Sequence, residues 1–533
     1  MFSSHRLLLI FFLVLITLLS ALISSRLLWS NNPNFFFQES YGLAYNHPLR
    51  LGDLCDPNPL AGLEGPMANV TDHRSSSLIY ALPNKLFYNH INLYTLHRII
   101  NGILYALLLL LLYAIGSALK LHPASTLLFL VYYGLSTQAL SLLFEFKLTL
   151  TSAVWLAWAI LLFVLLDKSR ISSKSSAFIY VGLVPITAAL SYETYCVSRP
   201  LAIAYWGAIF IWLFLIAPNH KLRGYYSAIY AVSSALSYLL LKFLHPNIRF
   251  DLSLFEGRTE SIVQYQGHLK SEWLTTILNR VQELSYLFSW PNHSIFTSES
   301  YREAGWLEVW LALGFLSAVA FALLFFQRSG PATRKLFYQY RWYLLMCLML
   351  MAISLIIPLG STTFIRGHRF FGLYLTSTLL AVILVDILIK VRPAWIKWSV
   401  VTFAITVSLW TLVHRLPLIY NWSPPTHYTP TYFHDLLVQL QQTPIPDNYS
   451  PDPGGVVIKV CDLKEPLDWE HSWNAALYVS GLGCRLQASR LHGHIMNFES
   501  CDCAYEEKNA DLVNLVCIER RIEGERNIVT LNY

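Results

Sequence analysis

Residues 148–167 read LTLTSAVWLAWAILLFVLLD, and residues 168–174 read KSRISSK. The first stretch is close to the roughly 20 apolar residues that a helix needs to cross a bilayer core of about 30 Å. The second is a short polar connection that holds Lys168, Arg170 and Lys174 next to a single acid, Asp167. Lys and Arg accumulate in short cytoplasmic connections, so this pair of segments gives both a membrane crossing and a direction.

The same pattern recurs along the chain. Apolar blocks fall near 7–29, 99–119, 125–145, 148–167, 177–197, 201–217, 224–244, 306–327, 342–360, 370–389 and 398–418. This predicts an α-helical polytopic membrane protein with about 11 transmembrane helices. The pair within 99–145 is divided only by Lys120-Leu-His-Pro-Ala124. One set of connections holds Arg6, Lys120, Lys168, Arg170, Lys174, Lys221, Arg223, Arg328, Arg334, Lys335, Arg341, Lys390, Arg392 and Lys397. That set is assigned to the cytoplasm. The alternate set is mixed in charge and includes the long segments 30–98, 245–305 and 419–533. These are placed outside, with the N-terminus inside. The apolar core of residues 1–25, about seventeen residues, is longer than the usual 7–15 of a cleaved signal peptide, which favours an anchor.

Composition agrees with this reading. The 533 residues are 55% hydrophobic and 13% charged, where soluble domains carry about 25% charged residues. Mean hydropathy is +0.45. The net charge of +6 lies in the short connections between apolar blocks, which excludes a nucleic-acid partner and leaves membrane lipids. Many of the aromatic residues fall at block ends, where amphipathic rings favour the interface.

The outer segments divide the chain into a transmembrane unit, 1–420, and a small C-terminal extracytoplasmic domain, 421–533, of α/β or β type. In the latter, Val456–Val460, Leu512–Cys517 and Ile528–Leu531 read as strands and Trp469–Tyr478 as a helix. In 245–305, Leu274, Ile277, Leu278, Val281, Leu284 and Phe288 repeat with helical period, as in an amphipathic helix on the membrane surface or packed on another loop. Six of the eight cysteines, at 55, 461, 484, 501, 503 and 517, lie on the outer side, where disulfides form. Cys501-Asp-Cys503 lacks the second pair that a zinc site needs. Sequons at Asn69, Asn292, Asn421 and Asn448 are also outside, the Asn421 one weakened by Pro424.

Polar residues cluster where outer segments meet spans: Glu39, Glu145, Glu193 with Arg199, Lys242, and Arg366, His368 and Arg369. Taken singly, each reads as a snorkelling or loop-surface charge near the interface, where the cost is small. Together they place carboxylates and guanidinium groups on one face of the bundle, with nothing comparable expected on the other. Arg suits phosphate oxygens, and a carboxylate suits a general base toward a hydroxyl.

This layout resembles the GT-C class of membrane glycosyltransferases, which includes protein O-mannosyltransferases, aminoarabinose transferases and oligosaccharyltransferases. Gln38-Glu39-Ser40-Tyr41 resembles the acidic motif of the first outer loop of that class. Phe144-Glu145 sits where many members carry a second acid. Arg366-Gly-His-Arg369-Phe-Phe371 resembles the late Arg-aromatic motif. The resemblance implies transfer of a sugar from a polyprenyl- or dolichyl-phosphate donor to a protein, lipid or glycan acceptor on the non-cytoplasmic face. Glu39 would be the catalytic base, and Arg366, Arg369 and Lys242 would face the donor phosphate. The paired acid of the class is Gln-Glu here, which makes Asp53 the candidate second acid and leaves a divalent metal open. The host membrane would be a bacterial plasma membrane or the endoplasmic reticulum.

Two other readings compete. An O-antigen ligase or polymerase-like enzyme would use Arg366, His368 and Arg369 without Glu39, but such enzymes place their large loop between late spans. A non-catalytic transport or assembly protein is the other. A transporter should carry paired charges or broken helices at mid-membrane; Asp386 lies near the cytoplasmic end, Pro185 is an isolated kink candidate, and no inverted repeat is evident.

Overall fold

The computed structural model describes residues 79, 83, 86–87, 93–134, 149–171, 176–194, 198–216, 220–244, 330–359, 371–391, 398–399, 401–403, 406, 456–460, 496–500, 516–522 and 525–531. Eight long helices lie among them: α1 Leu93–Ala118, α2 Pro123–Gly134, α3 Thr149–Ile171, α4 Ser176–Thr194, α5 Ser198–Ile216, α6 His220–Leu244, α7 Pro331–Leu359 and α8 Phe371–Val391. All except α2 and α6 contain a stretch long and apolar enough to cross a membrane, as in a polytopic membrane protein. Of α2, twelve residues are described. The expected spans 7–29 and 306–327 lie outside the described residues, as do the second half of 125–145 and most of 398–418.

The α6 segment, expected to span, is a 25-residue helix but too polar to meet the same measure. Several of its polar groups are taken up by neighbours. Ser233 donates to the Gly182 carbonyl of α4. Tyr230 donates to the Trp206 carbonyl of α5 at 2.6 Å, and the Trp206 indole donates to Ser234 Oγ at 3.1 Å. Such interhelical hydrogen bonds hold helices together where the hydrophobic effect between them is weak.

The boundary between α1 and α2 is set by local chemistry. Lys120 adopts φ 55°. Its N–H donates to Ser117 O, and that of Leu121 to Gly116 O, both at 3.0 Å. This is the Schellman pattern, with lysine in the left-handed position that glycine usually fills. His122 then caps α2: its Nδ1 accepts from Ala124 N at 3.2 Å, its carbonyl accepts from Thr126 N at 3.0 Å, and Pro123 takes the first helical position. The four residues 119–122 therefore suffice to join α1 to α2.

The helices share one apolar core. α4 packs between α3, α5 and α6, and α1 lies on α2 and α3; α8 joins α2, α3 and α7, while α7 also meets α5. Leu108, Leu112, Ile160, Leu162, Val382 and Ile383 are fully buried in the core. The close approach of α8 depends on Gly372. A methyl group there would come within 2.7 Å of Leu201 Cδ1 and 2.8 Å of Ser354 Oγ.

Near the C-terminus, β1 Val456–Val460, β2 Met496–Ser500, β3 Val516–Ile522 and β4 Glu525–Leu531 form one sheet in the order β2-β1-β3-β4. β1 pairs with β2 in parallel and with β3 antiparallel, and β3 with β4 antiparallel. The register aligns Phe498, Ile458, Ile518 and Val529 in one row across the sheet. β1 matches its expected bounds. β3 begins later than the expected 512–517 and runs further, and β2 was not expected. The helix expected at Trp469–Tyr478 lies outside the described residues.

Candidate functional site

The last turn of α4 and the first turn of α5 carry Glu193 and Arg199. Sequence reading placed both at an exposed turn near the interface. Both are instead helical and buried, Glu193 at 1% and Arg199 at 4% exposure. The Arg199 guanidinium lies over the Tyr192 ring, 5.4 Å from its centroid, a cation–π arrangement. Thr194 closes the end of α4 by donating to the Leu190 carbonyl at 2.7 Å. Buried charges are costly enough that they are kept in place by partners or by function.

α6 returns to this end. Leu241 packs with Ala189, Tyr192 and Ala202 in a small cluster apart from the main core, and the half-buried Lys242 follows it directly. Three of the expected site residues thus come to one end of the bundle. A small cavity of about 10 Å³ lies below them, walled by Thr187 and Ser191 of α4, Ser198 and Tyr205 of α5, Leu156 of α3 and Phe371 of α8. Phe371 is also the residue that Arg366-Gly-His-Arg369-Phe leads into.

Glu39, Asp53, Glu145, Arg366, His368 and Arg369 lie outside the described residues. Among the described residues no group of three His, Cys, Asp or Glu side chains could hold a metal ion.

No family model matches the chain, and no curated protein matches it. Among the solved structures similar to it are two of the oligosaccharyltransferase of Archaeoglobus fulgidus. One is the archaeal oligosaccharyltransferase AglB in complex with an inhibitory peptide and a dolichol-phosphate, at 13% identity and a TM-score of 0.47, covering 87% of this chain and 63% of that one. The other is a complex with Zn and sulfate, at 14% identity and a TM-score of 0.45, covering 87% and 61%. This chain therefore spans less than two thirds of the length of either.

The opposite end of the bundle corrects the expectation that nothing comparable lies there. Asp386 of α8 is fully buried and lies 2.6 Å from Lys390 Nζ. Its other partners are Tyr340 Oη of α7 at 3.0 Å and the backbone N–H of His122 at 2.5 Å. Lys390 also donates to the Lys120 carbonyl at 2.9 Å and to Tyr340 Oη at 2.8 Å. Nearby, Tyr343 donates to the buried Asp167 of α3 at 2.6 Å. The connections read as cationic after α1, α3 and α8, and before α7, therefore share one end. Glu193 lies at the other end of α4, 17 residues or about 26 Å along the helix from Ser176. Sequence reading noticed Asp386 but had no signal for its partners, which are up to 264 positions distant.

Proposed function

We propose that this chain is a glycosyltransferase that moves a sugar from a polyprenyl- or dolichyl-phosphate donor to an acceptor hydroxyl on the non-cytoplasmic face. The observation that carries the reading is the retention of Glu193 and Arg199 inside the helical bundle, at the end away from the cationic connections. The Arg366–Arg369 motif runs directly into Phe371, which walls the cavity at that same end. On this reading residues 1–420 are the transferase unit and 421–533 an outer domain.

The chemistry follows from the residue types. Glu39, with Asp53 as second acid, takes the proton from the acceptor hydroxyl. The acceptor oxygen forms a bond to the anomeric carbon as the bond from that carbon to the phosphate oxygen breaks. The electron pair leaves with the lipid phosphate, whose charge Arg366, Arg369 and Lys242 stabilise in a site screened from bulk water. Glu145, Glu193, Arg199 and His368 orient the donor and the acidic loop. A divalent metal, if held by Glu39 and Asp53, would polarise the donor phosphate.

The test is release of lipid phosphate from labelled polyprenyl-phosphate sugars by the purified full chain, with and without Glu39→Gln. Acceptor-dependent release that falls about 100-fold or more in the variant is expected. Full activity in Glu39→Gln sinks the assigned base. No release from any donor in the wild type favours an assembly role over transfer.

A further inference from the structure

We propose that the cavity between α4, α5 and α8 is a built site for one ordered water, which bridges Ser198 and Tyr205 inside the membrane-spanning bundle. Ser198 is 1% exposed and Tyr205 is 2% exposed, and both line the cavity. Neither Ser198 Oγ nor Tyr205 Oη has a hydrogen-bond partner among the described residues. Buried hydroxyls are rarely left unmatched, because the lost hydration is not recovered. The two residues are seven apart on α5, two turns along one face. Long side chains on a helix lean toward its N-terminus, which carries the Tyr205 hydroxyl back toward Ser198.

The cavity matches this ligand in size and in chemistry. Its volume of about 10 Å³ admits the centre of a single water and nothing larger. Thr187 and Ser191 on α4 face the same space and supply further hydroxyls, so the water meets the two to four polar partners that a retained water needs. The rest of the wall is apolar, with Leu156 and Phe371 its largest side chains besides Leu201. Gly372, next to Phe371, brings α8 close against Leu201, another residue of the wall. The water joins α4 to α5 immediately beneath Glu193 and Arg199, and its presence does not depend on the transfer reaction.

The first test is an experimental structure of the full wild-type chain in a lipid nanodisc, at a resolution that shows ordered water. A peak within hydrogen-bonding distance of Ser198 Oγ and Tyr205 Oη is expected. An empty cavity, or hydroxyls turned to protein partners, overturns the proposal. The second is a melting-temperature cycle of Ser198→Ala, Tyr205→Phe and the double variant. A shared water is lost with either hydroxyl, so the double variant should melt no lower than the worse single one. Fully additive shifts overturn the bridge. The wild-type density decides the matter even where a variant does not fold.

Discussion

The Lys390 ammonium lies 2.6 Å from the Asp386 carboxylate one helical turn away, and both groups are tied to the α1–α2 turn. Asp386 accepts from the His122 N–H while Lys390 donates to the Lys120 carbonyl. A carboxylate with no exposed surface would be destabilising alone. With Lys390, Tyr340 and the His122 N–H donating to it, it becomes the fastener between the α1–α2 turn and α8.

Removing one half of this fastener should cost more than removing both. Asp386→Asn is expected to lower stability by about 2–3 kcal/mol, since the bonds to charged groups weaken while Lys390 stays in place. Lys390→Met should cost at least as much, because it leaves the buried carboxylate short of its counter-ion. Asp386→Leu combined with Lys390→Met should recover part of the loss. Melting curves of the purified protein report this directly, and a double variant that melts lower than either single one contradicts it.

Lys120→Gly should stabilise the protein. The left-handed backbone of Lys120 strains any side chain with a Cβ, and glycine removes that strain at a gain of about 1 kcal/mol. The bond from Lys390 survives because it goes to the backbone carbonyl. Lys120→Val should destabilise. A lower melting temperature for Lys120→Gly than for wild type argues against the assigned turn.

Gly372→Ala is expected to cost about 1 kcal/mol, and Gly372→Val roughly 2–3 kcal/mol. The added atoms meet Leu201 and Ser354 at under 3 Å, and buried Leu201 has little room to turn aside. Thermal unfolding in detergent measures both variants, and a neutral Gly372→Val would mean that α8 stands further off.

Single cysteines at positions 172 and 334, in a background without the native cysteines, should react with an impermeant thiol reagent only from the cytoplasmic side. One at position 448 should react only from the other. Labelling of 172 or 334 from outside reverses the proposed orientation.

Arg366→Ala and Arg369→Ala should each weaken donor use by about 10–100-fold. Both keep some turnover if Glu39 is the base. Unchanged kinetics with a polyprenyl-phosphate donor would place the phosphate site elsewhere.

How much of this was legible in the sequence depends on whether a feature is local. The spans of α1, α3, α4, α5 and α8 follow from hydropathy, since about 20 apolar residues leave few other structures open. α7 starts at Pro331 where the apolar block starts at 342, because the helix runs on through the polar and aromatic residues Arg334, Lys335, Tyr338 and Arg341. Arg341 lies 5.1 Å from the Trp342 ring centroid, an anchor pair visible only once both are on a helix. Glu193 and Arg199 were noticed as charges, but their burial depends on how α4 and α5 pack in the bundle. In the C-terminal sheet, apolar Val456–Val460 was found from its β-branched run. Met496–Ser500 alternates apolar and polar residues and could have been found in the same way. Glu519, Arg520 and Arg521 hid β3, whose pairing on both sides stabilises a strand that composition does not favour.

The tie between His122 and Asp386 also has a consequence for biogenesis. The two residues are 264 positions apart. At about 5–20 residues per second, the ribosome needs roughly 13–53 s to make the intervening chain. For that interval the α1–α2 hairpin waits in the membrane with the His122 N–H unmatched by its native partner, and α8 supplies the acceptor only when it inserts. A chain that stalls or is cut before Asp386 would display an unfinished hairpin to the quality-control machinery of its host membrane.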